Sequence, residues 1–196
     1  MTLIEKFTDI YNNNSWRSKE SKSGGGAELV TTVAIRAWLP QIIQEEGITS
    51  ILDVGCGDFN WMREVTLKIP YFGVDLVHEL IQRNIALYGS IFPPTKLFAV
   101  ADATKDTLPK ADLVMCRCVL YHLSYANIEK ALTNMKKAAG RFLLITNSIS
   151  KQENRDMTDG GYRRLNFLKP PFDFEVPYRI FRENETNKEE MLLYKI

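Results

Sequence analysis

The apolar residues near the start of the chain recur at the spacing of a helix, and they form two sets. The first set comprises Leu3, Ile4, Phe7 and Ile10, and the second comprises Leu29, Val30, Val33, Ala37, Trp38 and Ile42. The first predicts a short helix over residues 2–11, and the second predicts a helix that we expect Pro40 to bend or divide. Residues 15–26 between them are polar and glycine-rich, which predicts a loop.

From residue 49 onward, short apolar runs alternate with amphipathic stretches. The predicted strands are residues 50–54, 71–75, 97–100, 113–118 and 142–146, and the predicted helices are residues 60–67, 77–88 and 125–137. Such alternation is typical of strand–helix–strand units with parallel strands. Because crossovers between parallel strands are right-handed, we expect a doubly wound sheet with helices on both faces.

The alternation stops after Ser148, where a long polar segment with several glycines and prolines begins. Two further strand candidates, residues 178–182 and 191–196, follow it and predict a terminal hairpin. The predicted fold class is therefore α/β: a Rossmann-like, mostly parallel sheet of seven strands that ends in an antiparallel hairpin. A length of 196 residues suits a single domain over residues 1–196.

Composition narrows the range of partners. Hydrophobic residues make up 45% of the chain and charged residues 25%, an ordinary globular balance. The formal net charge is +1, so nothing in the bulk charge favours a nucleic acid partner. The sequence has neither an apolar stretch of about 20 residues, as a membrane span requires, nor the features of a secretory signal. We therefore expect a cytoplasmic protein; the sequence does not predict its oligomeric state.

Cysteine and histidine positions give no sign of a metal centre. Cys116 and Cys118 stand one residue apart in an apolar run, Cys56 lies alone, and none of the three completes a metal-ligand spacing. We expect buried, reduced thiols. The sequence also has no cluster of histidine and carboxylate at such a spacing, so no metal is predicted.

The strongest chemical signal is the glycine turn that follows the first predicted strand. Gly55 and Gly57 allow the backbone to turn sharply and to approach a ligand closely at the carboxyl edge of the sheet. Asp75 stands twenty residues after Gly55, at the end of the second predicted strand, where an acid can accept hydrogen bonds from both hydroxyls of a ribose. The pair indicates a nucleoside-containing cofactor; the alternative is that the glycines only turn the chain.

Two further acids indicate which cofactor this is. Asp53 precedes the turn. A dinucleotide-binding fold needs no charge at this position, whereas a fold that binds a cofactor with an α-amino group does need one. Asp102 follows the third predicted strand and is placed to accept a hydrogen bond from an adenine amino group. Together they favour an adenosyl amino acid.

With these motifs, residues 51–147 resemble the class I S-adenosylmethionine-dependent methyltransferases, whose first motif is a hydrophobic pair, an acid and Gly-x-Gly-x-Gly. The resemblance implies that Asp53, Gly55 and Gly57 hold the methionine portion, Asp75 the ribose, and Asp102 with Ala103 the adenine. Further cofactor contacts are expected from Trp16, Cys56, Asp58, Trp61, Leu76 and Arg117. The chain departs from the motif at its third glycine, which is replaced by Phe59.

The resemblance also divides the domain. Residues 1–48 would supply N-terminal helices and a loop over the cofactor or substrate, residues 49–147 the cofactor-binding core, and residues 148–196 a substrate lid and the terminal hairpin. In the family, the end of the fourth strand lies beside the transferred methyl group. The catalytic candidates are therefore Arg117, Tyr121 and His122.

Each catalytic candidate also has a structural interpretation. His122 is either a base that removes a hydroxyl proton or a neutral imidazole packed at a helix start. Arg117 is either part of the reaction zone or a salt-bridge partner. Since a sulfonium is already an activated donor, we expect direct in-line transfer without a metal, driven by positioning of donor and acceptor.

Substrate contacts are expected from the polar segment after the fifth strand. The candidates are Arg155, Tyr162, Arg163 and Arg164, of which the arginines could equally be ordinary solvated charges. Such side chains suit a polar acceptor, most simply a sugar hydroxyl of a glycan or a related small molecule. The chain is similar here to a branch of small bacterial and viral methyltransferases that includes glycan-modifying members. In that branch we expect an acid where this chain has Cys118.

Two other functions are compatible with the sequence. One is N-methylation of a small metabolite or of nucleic acid, although residues 116–119 lack the Asn or Asp, two prolines and aromatic residue that amino-methylating nucleic-acid enzymes carry there. The other is a cofactor-binding partner protein without transfer activity.

Overall fold

The predicted seven-stranded sheet with a C-terminal antiparallel hairpin is confirmed. A computed structural model describes residues 1–149, 152–184 and 188–196. The strands are β1 Ile51–Val54, β2 Tyr71–Asp75, β3 Lys96–Val100, β4 Ala111–Cys116, β5 Ala139–Ser148, β6 Arg179–Asn184 and β7 Glu189–Lys195. The helices are α1 Leu3–Asn12, α2 Val33–Glu45, α3 His78–Tyr88 and α4 Tyr125–Ala138.

The strand order β3-β2-β1-β4-β5-β7-β6 places the carboxyl ends of the parallel strands at one edge of the sheet. Strands β1 to β5 are parallel, β1 pairs with both β2 and β4, and β7 enters antiparallel between β5 and β6. The connection reverses direction between β1 and β4, the point at which open α/β sheets bind ligands.

The core lies on both faces of the sheet. On one face, α2 and α3 cover a cluster that includes Ile35, Leu39 and Ile81. On the other face, α4 contributes Ile128 and Met135 to a cluster that the C-terminal segment completes. None of the described helices combines the length and the apolar character that crossing a membrane would take. Cys56 and Cys116 are buried free thiols, and Cys118 is partly exposed.

The prediction of a helix over residues 60–67 is wrong. Only a 3-10 turn, Met62–Glu64, forms there. From Val65 onward, buried and exposed residues alternate through residue 68, which is the period of an extended chain. The apolar residues of this segment therefore pack individually beneath the sheet edge instead of forming one helical face.

The second helix also differs from its prediction. It begins at Val33, since residues 28–32 form turns in which the hydroxyls of Thr31 and Thr32 bond the carbonyl of Glu28. It then runs through Pro40 to Glu45 without a break.

Candidate functional site

A cavity of about 500 Å³ opens at the carboxyl edge of the sheet, a volume within the usual range of small-molecule sites. Its walls come from the ends of β1, β2, β3 and β4 and from the N-terminal segment. The predicted site residues that line it are Trp16, Gly55, Cys56, Gly57, Trp61, Asp75, Leu76, Asp102, Ala103, Arg117, Tyr121, His122, Tyr162 and Arg164. The other four predicted residues, Asp53, Asp58, Arg155 and Arg163, do not line it.

The glycine turn after β1 brings the backbone to the cavity wall. Gly55 has φ +75°, and a Cβ atom there would lie 2.2 Å from Cγ2 of Val119. Gly57 has φ +57°, and a Cβ atom there would lie 2.3 Å from Oγ of Ser23. Both positions therefore require glycine, for conformation and for space.

Phe59 keeps the turn in the shape that a third glycine would allow. Its φ of +60° lies in the left-handed region, which costs a residue with a Cβ about 1–2 kcal/mol. The ring is almost fully buried and packs against Tyr71, Tyr88 and Phe98, with centroids 5.1–5.2 Å away. Burial of the ring offsets the backbone strain, so the departure from the glycine motif does not open the turn.

Asp75 lies at the end of β2 with its carboxylate at the cavity wall. Its two oxygens accept hydrogen bonds from the backbone amides of Gly57 (3.1 Å) and Val77 (3.1 Å). Burial raises the pKa of Asp75, and these amides hold the increase back. A carboxylate has about four acceptor positions, so these two hydrogen bonds leave it able to accept from ligand hydroxyls as well.

Asp102 lines the cavity beyond β3, and its carboxylate also shapes the local turn. One oxygen accepts hydrogen bonds from the amide (2.9 Å) and the hydroxyl (2.6 Å) of Thr104, and the other lies 3.4 Å from Nζ of Lys105. Ala103 is beside it at the wall. Contact with an adenine amino group stays a prediction for Asp102.

Asp53 lies behind the end of β1. This position does not favour direct contact with a ligand in the cavity. It is 3% exposed, and one carboxylate oxygen accepts a hydrogen bond from the Tyr71 hydroxyl at 2.7 Å. Burial raises the pKa of Asp53 to about 7, against the opposing effect of that hydrogen bond. Alternation along β1 turns this side chain toward the core.

Asp58 holds the N-terminal loop and does not line the cavity, and its assignment as a cofactor contact stays a prediction. Its carboxylate accepts hydrogen bonds from the hydroxyls of Ser21 (2.9 Å) and Ser23 (3.1 Å) and from the amide of Lys22 (2.9 Å). The Asp58 amide in turn donates to the Ser23 hydroxyl at 2.9 Å. These bonds fasten residues 21–23 onto the glycine turn, so that the loop forms a wall of the cavity.

Replacing Asp58 by alanine is expected to release this loop. Hydrogen bonds to a charged group are worth about 1.5–3 kcal/mol each, so the open form of the loop should become about tenfold or more populated. Hydrogen exchange measured by mass spectrometry should be accelerated in peptides that cover residues 17–27 and unchanged in β4 and β5. Unchanged exchange in the loop would show that its other contacts suffice.

Arg117 follows β4 and forms a buried ion pair at the inner end of the cavity. Its Nε donates to the carboxylate of Glu183 on β6, and Nη1 donates to the carbonyl of Gly26 at 2.7 Å. The guanidinium also lies 5.3 Å from the ring centre of Trp61. Burial is the largest single effect on the pKa of Arg117 and lowers it, but the charge of Glu183, the hydrogen bond to it and the nearby Cys118 and Glu189 together keep the pKa above its ordinary value. Arg117 therefore lines the cavity and is a salt-bridge partner, and its part in the reaction stays a prediction.

His122 has one ring nitrogen committed to the backbone. Nδ1 lies 2.7 Å from the carbonyl oxygen of Gly161, and because a carbonyl only accepts, Nδ1 carries the proton. In the neutral ring Nε2 therefore has the free lone pair. The ring packs against Trp16, with centroids 4.2 Å apart. Burial lowers the pKa of His122 to about 4.

The depressed pKa of His122 gives the protein a pH-dependent stability. The unfolded chain takes up a proton as the pH falls below about 6.5, whereas the folded chain does so only near pH 4. The contribution of His122 to the free energy of unfolding is thus complete above about pH 6.5 and declines between that pH and about 4. In urea titrations His122→Asn, which keeps an N–H donor but does not titrate, should show a smaller decline over this range than the wild type. Identical pH profiles would contradict the assignment.

The polar segment after β5 divides into two functions. Tyr162 and Arg164 line the cavity, as expected for substrate contacts. Arg163 instead donates from Nε to the carbonyl of Arg155 (2.8 Å) and from Nη1 to the carbonyl of Tyr121 (3.0 Å). It holds the segment in place, and neither Arg163 nor Arg155 lines the cavity, so their contacts with a substrate stay predictions.

Among the charged residues of the cavity wall, sequence reasoning missed Lys22, Glu28 and Glu189. Glu189 begins β7, which lies next to β5 and runs opposite to it, so the start of β7 reaches the carboxyl edge. No motif marks it in the sequence. Tyr121 adds a second polar group: its hydroxyl is buried and has no hydrogen-bond partner among the described residues.

Comparison with known proteins agrees with this geometry. A family profile described as "Methyltransferase domain" matches residues 14–172, most of the chain. No curated protein sequence matches.

Three solved structures illustrate the similarity of the fold. Magnesium protoporphyrin IX methyltransferase from Synechocystis PCC 6803 has a TM-score of 0.67 at 13% identity, covering 100% of this chain and 97% of that chain. An S-adenosylmethionine-dependent methyltransferase from Clostridium acetobutylicum has 0.64 at 13% identity, covering 100% and 99%. Human N-acetylserotonin methyltransferase has 0.64 at 15% identity, covering 100% and 60%. At such identities the likeness concerns the fold.

Proposed function

The chain belongs to the methyltransferase domain family, and from this premise we propose that it transfers a methyl group from S-adenosylmethionine to a hydroxyl of a polar acceptor, such as a sugar of a glycan or a related small molecule. The observation that carries the proposal is the cavity at the strand tips, where the Gly55 turn and the Asp75 carboxylate meet. A fold of this kind serves many chemistries, so the proposal depends on the site.

The residues at the cavity wall fit an adenosyl amino acid. Asp75 retains acceptor positions for the ribose hydroxyls, and Asp102 with Ala103 stands at the adenine end. The backbone of Gly55 lines the cavity after β1, where we place the methionine portion. Trp16 and the glycines of the N-terminal loop cover it. We assign residues 1–48 to this cover, residues 49–147 to cofactor binding, and residues 148–196 to the acceptor side.

Bound S-adenosylmethionine supplies a methyl group already activated by its sulfonium. The protein's part is to hold the acceptor oxygen in line with that group and to exclude water, which can account for about 7–11 kcal/mol of the barrier. The covering loop that Asp58 fastens serves the exclusion of water. Arg117 holds the inner wall through Gly26 and Glu183.

A polar acceptor suits the composition of the other end of the cavity. Tyr162, Arg164 and His122 present polar groups there, and the buried hydroxyl of Tyr121 has no partner among the described residues. A buried hydroxyl without a hydrogen bond costs about 1–3 kcal/mol, which a hydroxylated acceptor would recover. Aromatic rings of Trp16 and Tyr162 offer flat faces for a sugar.

Two measurements test the proposal. Titration calorimetry should detect S-adenosylhomocysteine and S-adenosylmethionine but not NAD. An assay with tritiated methyl donor should then label glycans or small hydroxylated compounds in preference to RNA and small amines. Preferential labelling of RNA or small amines would identify the N-methyltransferase alternative. Binding of NAD alone would overturn the proposal, and binding without transfer to any acceptor would favour a non-catalytic partner protein.

A further inference from the structure

We propose that Glu189 faces the acceptor and receives its proton during methyl transfer. The inference rests on the proposed function and deepens it, because it assigns the base for the acceptor hydroxyl to a residue of the terminal hairpin. Glu189 is 7% exposed and lines the same cavity as the glycine turn and Asp75.

The topology of the sheet puts Glu189 at the acceptor end. β7 pairs with β5 in antiparallel register, with Glu189 opposite Ser148, so β7 starts where β5 ends. β5 in turn lies beside β4, and the amide of Cys118 donates to the Thr146 hydroxyl on β5 at 2.8 Å. The first residue of β7 is thereby brought close to the turn that follows β4.

The charges around Glu189 support the same location. The carboxylate of Glu189 acts electrostatically on Tyr121, Tyr162 and Cys118, all of which line the cavity after β4 or in the polar segment. Arg164, also at the wall, is close enough to act on Glu189 in return. Glu189 therefore stands among the side chains that form the acceptor end.

The buried ion pair behind it explains why Glu189 is suited to take a proton. Arg117 is already paired with Glu183, one of whose carboxylate oxygens has no hydrogen-bond partner among the described residues. Glu189 thus shares a single buried guanidinium with a second acid. Burial and the charge of Glu183 raise the pKa of Glu189, while Arg117 and Arg164 moderate the increase. A base is most effective when its pKa approaches the working pH.

His122 is less suited to the same task. Its Nδ1 is bound to Gly161, and burial holds its pKa at about 4, so that its protonated form is disfavoured where it is packed. Its ring stacks on Trp16, which fits a role in shaping the wall.

The reaction then balances with the groups present. The acceptor oxygen forms a bond to the methyl carbon as the carbon–sulfur bond breaks, and that bond's electron pair stays on sulfur, which becomes a neutral thioether. The acceptor O–H bond breaks, its electron pair remains on oxygen, and the proton passes to a carboxylate oxygen of Glu189.

A ligand pair tests the position of this carboxylate without any acceptor. Sinefungin differs from S-adenosylhomocysteine in presenting an ammonium group where the transferred methyl would stand. In Glu189→Gln, affinity for sinefungin should fall about tenfold or more, since a charge-assisted contact is lost, while affinity for S-adenosylhomocysteine changes less than about twofold. Glu190 is buried outside the cavity, where its carboxylate accepts a hydrogen bond from the side-chain amide of Asn147 at 2.8 Å. Glu190→Gln is therefore the matched control, and this variant should keep both affinities.

Each outcome of the calorimetry decides the matter. A selective loss for sinefungin in Glu189→Gln, together with a lower kcat at unchanged KM for whichever acceptor the wild type methylates, supports the assignment. Equal sinefungin affinity in Glu189→Gln and the wild type would overturn it, as would an equal loss for both ligands. A wild type that binds neither ligand would refute the proposed function itself, which is a distinct result.

Discussion

Replacing Asp75 by alanine is expected to lower the affinity for S-adenosylhomocysteine about 100-fold or more. Two hydroxyls of a ribose would lose a charged acceptor, and each such hydrogen bond is worth about 1.5–3 kcal/mol, where about 1.4 kcal/mol is a tenfold change. The carboxylate also accepts the amide of Gly57, so the glycine turn loses a bond at the same time. Titration calorimetry on the folded variant measures the effect.

Asp112 supplies a matched control for Asp75. It lies at the opposite end of the parallel strands, at the start of β4, where its carboxylate binds Arg141 and the amide of Thr49. Asp112→Ala should reduce stability modestly and leave the affinity for S-adenosylhomocysteine unchanged. Undiminished affinity in Asp75→Ala would show that the ribose is held elsewhere.

The second large effect is expected at Phe59. Phe59→Ala should lower the free energy of unfolding by about 3–5 kcal/mol, the usual cost of deleting a buried phenyl ring. The ring is 1% exposed, and the rings of Tyr71, Tyr88 and Phe98 all contact it. Urea unfolding followed by circular dichroism measures the difference.

A glycine at the same position separates the ring from the backbone. Phe59→Gly loses the same ring but relieves the left-handed φ of +60°, so it should be about 1 kcal/mol less destabilising than Phe59→Ala. If Phe59→Gly proved the more destabilising of the two, the backbone strain at this turn would be refuted.

The sequence is sufficient to predict the fold and the ligand-binding edge because their signals are local. The apolar run of β1, the glycines at 55 and 57, and the acid at 75 each report on a strand and the turn that ends it. In a parallel sheet such strand ends meet at one edge, so positions along the chain translate directly into a site. The same logic fails for residues 60–67, where a helical pattern forms only a 3-10 turn, Met62–Glu64, followed by extended chain.

Side-chain direction separates the predicted site residues that line the cavity from those that do not. Asp58 and Arg163 stand next to residues of the cavity wall, but their side chains point to the N-terminal loop and to the carbonyl of Tyr121. Spacing along the chain gives no information on such a rotation at an irregular turn. Glu189, by contrast, lines the cavity although no sequence motif marks it. The antiparallel strand β7, late in the chain, returns it to the edge of the sheet where the parallel strands end.

The fastening of residues 21–23 by Asp58 bears on how fast a nucleoside ligand exchanges. Because this loop forms one wall of the cavity, we expect a bound nucleoside to leave when the loop detaches, with a residence time that follows the lifetime of the hydrogen bonds at Asp58. Weakening these hydrogen bonds should accelerate both binding and release of the ligand. The two rate constants should therefore change more than their ratio, the dissociation constant. We therefore expect the rate of ligand exchange to be set outside the reaction centre, by the serine-containing residues 21–23 bound to the turn after β1.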